Sequence, residues 1–263
     1  MSMVQAGAVI AAATFMTGCV SFGISTPTDG AIIRSSPVSV SIAASPSMSG
    51  LTVTLDGADV TAQMSARSGT TSTGSITPAT GRKSVLVAQA DVPCSYCSSN
   101  HLQSQVSFCV VPASPTSSVK IPLADRDTLS WSKTSDTGVG LAQQVSTAIE
   151  WDLRPAGGIG GGGTGMIASV DNLCLCMRSM DDQQNTPIGL AICDANDSTQ
   201  KWQALQTPST GTAYRIQNTG RAISDACLTE GPGNVLVQKA CNDTPDQLWR
   251  FKDTSTGRLV SPF

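Results

Sequence analysis

The sequence predicts an all-β chain in two domains, and three observations carry that reading. Charged residues occupy 13% of the 263 positions, well below the ~25% usual in globular proteins. Ser, Thr and Gly fill the difference, and long amphipathic helices rich in Glu and Lys are missing. From Pro27 to Val111, short runs alternate apolar and polar residues between turn-forming clusters, the pattern of half-buried strands. From Ile167 to Phe251 one pattern occurs twice, and internal repetition outranks local propensity as a guide to fold.

At the N-terminus, Ala8 to Phe15 form a largely apolar run that is too short to span a bilayer. Met16-Thr17-Gly18-Cys19 follows it. This resembles a bacterial lipoprotein signal with its lipobox. The resemblance implies a signal peptide at 1–18, a lipidated linker at 19–23, and a diacylglycerol anchor on Cys19, with palmitate among the acyl chains. No Lys or Arg precedes the run and Met16 stands where Leu is usual, so a plain signal peptide is the alternative and a buried N-terminal segment the third reading. Val20 after the anchor is not the Asp that retains Gram-negative lipoproteins at the inner membrane, which favours the outer membrane of a bacterial cell envelope. Of nine cysteines, acylation of Cys19 leaves an even eight, suited to disulfides in an oxidising compartment.

The first domain is expected at 24–113. Ser39 to Ile42 and Leu51 to Leu55 alternate apolar and polar, Asp56-Gly57 marks a hairpin turn, and 84–88 and 106–111 add strands. Several short strands over about 90 residues suggest a β-sandwich resembling bacterial immunoglobulin-like modules, which act mostly as spacers. Cys94, Cys97, His101 and Cys109 have two readings. They could close a tetrahedral zinc site, or the cysteines could form disulfides, the reading favoured in an oxidising compartment, with His101 then an exposed loop residue and no metal bound.

Residues 113–120, with Pro, Ser and Thr, mark the boundary to a second domain at 118–263. Its repeat has the order Cys-Leu, polar turn, apolar strand ending in Cys, polar turn, Gln-x-Trp. One copy carries Cys174-Leu175, Cys193 and Gln200-Lys201-Trp202; the other carries Cys227-Leu228, Cys241 and Gln247-Leu248-Trp249. The order resembles the ricin-type β-trefoil of R-type lectins, with clear lobes at 165–252. That resemblance implies a Cys174 to Cys193 and a Cys227 to Cys241 disulfide, leaving Cys176 with Cys94, Cys97 and Cys109 and allowing one bond between the domains. Trp202 and Trp249 then fill the shared core, the alternative being a tryptophan that stacks on a sugar. Trp151 precedes them at comparable spacing. A degenerate lobe at 120–153 would supply three strands and the segment 257–262 would return to close the barrel; the alternative is a linker and two lobes only. The glycine-rich run 157–165 is expected to be a loop between lobes.

Sugar-binding lobes of that family place Asp after Cys-Leu, an aromatic two residues before the second Cys, and Asn before Gln-x-Trp. Here those positions hold Cys176, Ala191 and Thr199 in one copy and Thr229, Lys239 and Asp246 in the other, so the resemblance predicts fold better than it predicts a sugar site, and no carbohydrate-binding residue is assigned. A net charge of −3 without a Lys/Arg cluster offers no field for nucleic acid. A lone histidine, no nucleophile motif, Asp181-Asp182 in a polar turn and a glycine run without Gly-Lys-Ser/Thr argue against catalysis and against a cofactor. The expected function is non-catalytic binding of a glycan or another envelope component, the alternative being a scaffold that docks an envelope protein.

Overall fold

The computed structural model describes residues 20–263 except 95–99, 136, 144–147, 156–162, 182, 208–210, 221–225 and 243. The expected signal peptide, Cys19, Cys97 and most of the glycine-rich run lie outside the described residues. The chain divides into two compact units. One takes in residues up to Thr28, Ser39–Ile76 and Val85–Val106; the other takes in Asp29–Val38, Thr77–Ser84 and Ser107–Phe263.

Strands β1 (Ser21–Thr26), β2 (Ala31–Ile33), β3 (Val38–Leu55), β4 (Ala58–Asp59), β5 (Gly69–Ile76), β6 (Lys83–Asp91) and β7 (His101–Val110) come first in the chain. In the first unit β3 organises the others: β1 pairs antiparallel with its beginning, from Ser21↔Ser45 to Thr26↔Ser41, and β6 with its end, from Thr52↔Gln89 to Leu55↔Leu86. Val40, Ile42, Ala44 and Met48 are buried at even positions, then Leu51, Val53 and Leu55 at odd ones. A one-residue slip moves side chains to the other face, and the pairing shows its irregularity between Ser49 and Thr52, with Gly50 at φ +62°. The two expected strands are thus one long strand with a bulge. Asp56 and Gly57, at φ 52° and 84°, make the tight turn to β4, with Leu55↔Ala58 paired, as twisted two-residue hairpins require.

Among the described residues, the part of the second unit from Val119 to Asp253 falls into three lobes of four strands each. They are β8 (Val119–Lys120), β9 (Ser130–Ser135), β10 (Gly138–Ala142) and β11 (Trp151–Pro155); β12 (Thr164–Ser169), β13 (Asn172–Ser179), β14 (Ile188–Ile192) and β15 (Trp202–Gln206); and β16 (Tyr214–Asn218), β17 (Ala226–Glu230), β18 (Leu236–Ala240) and β19 (Lys252–Asp253). First and fourth strands of each lobe meet at Val119↔Trp151, Gly165↔Trp202 and Tyr214↔Trp249. Between lobes, β11 pairs with β12, β15 with β16, and β19 with β8 through Lys252↔Lys120 and Asp253↔Val119. These pairings close a barrel with a hairpin from each lobe beside it, the β-trefoil arrangement.

Trp151, Trp202 and Trp249 are fully buried. Each indole N–H donates to a carbonyl on the second strand of its own lobe: Trp151 to Trp131, Trp202 to Met177 (3.1 Å) and Trp249 to Leu228 (3.0 Å). The buried polar end of each ring is thereby satisfied. Trp131, Met177 and Leu228 are therefore equivalent, and the bulk of Trp131 in the first lobe packs edge-on against Trp151 (6.2 Å) and Trp249 (5.2 Å). The expected closing strand at 257–262 differs: closure is made by β19, and the tail folds back on it. Asp253 accepts from the backbone N–H groups of Ser255 and Thr256, Gly257 turns at φ +66°, Leu259 bridges Lys252, and Val260 and Phe263 pack against the core.

The implied Cys174 to Cys193 pairing is corrected. Cys176 bonds Cys193, Cys227 bonds Cys241, and Cys174 bonds Cys109. The reason lies in the register. Cys176 opposes Ala191 and Cys227 opposes Lys239, so in both lobes the bond runs to the residue two beyond the strand partner, with Cα atoms 4.9 Å apart. The structural counterpart of Cys227-Leu228 is thus Cys176-Met177, and the Cys-Leu match at 174–175 is out of phase by two. Cys174 instead ties Ser107–Val110 to the second lobe. Cys94 is also disulfide-bonded, so neither it nor Cys109 is a thiolate available to zinc. His101 opens β7, is exposed, and sits 3.0 Å from Asp91 through Nδ1.

Candidate ligand-binding faces of the three lobes

The face that a sugar would occupy in a trefoil of this kind is built from the residue after the second-strand landmark, the residue two before the second Cys, and the turn before Gln-x-Trp. In each cysteine-bearing lobe the Gln of that motif is structural. The Gln200 amide donates to the Ile192 carbonyl and accepts from the Asp194 N–H (2.9 and 3.0 Å); Gln247 does the same with Ala240 and Asn242 (2.8 and 2.7 Å). Both are buried and fix the end of the third strand against the turn.

On this corrected register the first lobe has Ser132, Ala142 and Ala148 at these positions. In the third lobe Thr229 is buried and donates to its neighbour Cys227, beside Lys239 and Asp246. The second lobe is different. Its position after the landmark is Arg178, not Cys176, and Arg178 with Ile192, Asp194 and Asp197 lines a cleft of about 350 Å³.

Local structure holds these groups in place. Asp197 caps the turn Ser198–Gln200, accepting from Thr199 N–H (2.9 Å) and Oγ1 (2.6 Å). Arg178 Nε donates to Thr199 Oγ1 at 3.1 Å and lies 3.5 Å from the Asp197 carboxylate. Partial burial pushes the Asp197 pKa up, but the Thr199 hydrogen bonds and the Arg178 charge outweigh it and hold the carboxyl below its usual range. Lys83 Nζ, also in the lining, lies 3.2 Å from Asp194, and Asp29 accepts from the Ser107 N–H at 2.7 Å. All of these residues belong to the same compact unit.

The cleft is lined by carboxylate acceptors, by ammonium and guanidinium donors, and by apolar Ala191 and Ile192. A polyhydroxylated ligand matches such a set, because each hydroxyl both donates and accepts. Arg178, Lys83, Asp29, Asp194 and Asp197 escaped the sequence reading. Aligning the repeat on Cys176 to Cys193 would have found Arg178; nothing local in the sequence points to Lys83 or Asp29.

Residues 163–262 match the ricin-type β-trefoil lectin domain. Comparison with curated proteins by sequence finds no match. Among solved structures, the chain is similar to the BEL β-trefoil (18% identity, covering 57% of this chain and 96% of that one, TM-score 0.41) and to the designed threefold-symmetric protein ThreeFoil (15%, 52% and 98%, 0.40). It is also similar to the ligand-binding domain of botulinum neurotoxin serotype D, solved with N-acetylneuraminic acid (11%, 58% and 44%, 0.43).

Proposed function

We propose that this protein is a non-catalytic cell-envelope lipoprotein whose lectin-type trefoil binds a glycan or another envelope component, with an immunoglobulin-like N-terminal module as a spacer. The observation that carries the binding role is the second-lobe cleft: a concave site on a lectin-domain scaffold, lined by charged groups held by hydrogen bonds. The anchor rests on Met16 to Cys19 and on the even number of remaining cysteines. Disulfides at Cys94, Cys109, Cys174, Cys176, Cys193, Cys227 and Cys241 suit an oxidising compartment. The non-catalytic reading rests on the sequence, which has a single histidine and no nucleophile motif.

A glycan array probed with residues 20–263 tests the binding role; a saccharide hit is expected. A blank array together with co-purifying envelope proteins would move the assignment to a docking module. Intact-mass measurement of the native protein tests the anchor, and a chain that still begins at unmodified Met1 would overturn it. Cys19→Ser is expected to shift the protein from the membrane fraction to the soluble one.

A further inference from the structure

The second-lobe cleft is not made by the lectin domain alone. Asp29, Gly30, Lys83 and Ser107 lie outside residues 163–262, yet they line it. They are fixed there by several independent ties. The Cys109 to Cys174 disulfide joins β7 to β13, and the Lys83 N–H donates to the Cys193 carbonyl at 2.6 Å. Gly30 N–H donates to Ser107 O, and Ser107 N–H donates to Asp29 Oδ1, each at 2.7 Å. Gly81 is held by a hydrogen bond from Arg154, whose Nε donates to the buried Asp152 at 2.7 Å. Asp152 in turn accepts from the N–H groups of Thr116 and Ser117 (2.9 and 2.7 Å). A wall tied at so many points needs little ordering when a ligand arrives.

We propose that the binding site is composite, with Lys83 and Asp29 acting as specificity-determining residues contributed from outside the lectin domain, and that it takes a neutral saccharide. This rests on the binding role proposed above. The position that carries an aromatic ring in sugar-binding lobes is Ala191, so grip must come from polar groups on the walls rather than from stacking. Three carboxylates (Asp29, Asp194, Asp197) face two cations (Lys83, Arg178), and each cation already lies beside a carboxylate. An acidic sugar would meet a wall of net negative charge. Neutral hydroxyls instead donate to Asp29 and Asp194 and accept from the remaining donors of Lys83 and Arg178. The volume, about 350 Å³, lies at the small end of the ~300–1,000 Å³ range of ligand clefts, which suits the end of a glycan chain.

The test is an NMR titration of residues 20–263 with galactose, mannose, glucose and glucuronate, repeated with Lys83→Met and Asp29→Asn. Both variants keep the backbone ties, and thermal melts confirm folding. At least one neutral sugar is expected to bind, more tightly than glucuronate, with each variant weakening it about tenfold or more at unchanged melting temperature. Wild-type affinity in both variants would overturn the composite site while the lectin role stands, and tighter binding of glucuronate would overturn the neutral assignment. A wild-type chain that binds none of the sugars and gives a blank array would overturn the lectin role itself, and this inference with it.

Discussion

The second and third lobes share one buried plan and carry different surfaces. In both, a disulfide links the second strand to the residue two past its strand partner, a glutamine amide clamps the end of the third strand, and an indole donates to the second-strand carbonyl. Yet one presents Arg178, Asp194 and Asp197 in a cleft, and the other a buried Thr229 that bonds its own strand. The first lobe extends the contrast: it keeps the indole bond but has Ser130 where the others have cysteine. Packing constrains the interior of a repeat, because every lobe must fill one third of the same core. The faces carry no such constraint and are free to diverge in chemistry.

The largest effects are expected where the lobes are alike. Trp202→Ala and Trp249→Ala should each cost ~3–5 kcal/mol, the range for large aromatic core truncations, measured by chemical denaturation. Trp249 is expected at the upper end because it also packs on Trp131; near-wild-type unfolding of either variant would break the equivalence. Next come the disulfides. Replacing Cys176 and Cys193, or Cys227 and Cys241, by Ser opens loops with sequence separations of 17 and 14, for which chain entropy gives ~3 kcal/mol. Melting temperatures should fall by similar amounts for the two pairs, and a large inequality would show that the lobes are not energetically alike.

Deleting 257–263 probes the fold-back tail. It removes Val260 and Phe263 from the core surface but leaves β19 paired with β8. A loss of roughly 2–3 kcal/mol is expected from two apolar side chains, one of them aromatic. Complete unfolding would assign closure to the tail, and an unchanged melt would deny it any packing role.

The smallest effect concerns pH. Lys252, through its hydrogen bond and charge, holds the Asp127 carboxyl below its usual range. At Asp171, burial raises the pKa, but bonds from Ser169 and Lys133 outweigh it; Asp197 behaves likewise. A depressed carboxylate stabilises the folded state above its unfolded pKa, ~3.9 for Asp, and that contribution disappears as pH falls through the folded value. Stability is therefore expected to be flat from about pH 5 to 7 and to decline below about pH 4. Asp197→Asn should shallow that decline, a change read from melts across pH, and an identical slope would remove Asp197 from the account.

By itself, the sequence determined the all-β class and the presence of the repeat. Alternation in β3 and β6, the Asp56-Gly57 turn and the recurrent Gln-x-Trp are local signals, each set by backbone preference or by burial of one side chain. Register was beyond the sequence. Cys174-Leu175 and Cys176-Met177 both offer a cysteine before an apolar residue, and Leu and Met are close enough in volume that only the strand pairing with 188–192 selects the second. Closure by Lys252–Asp253 and the placement of Lys83 and Asp29 beside Arg178 were likewise decided by tertiary structure. Those contacts join residues from 95 to 149 positions apart, and their formation depends on how the core packs rather than on any preference of the segments themselves.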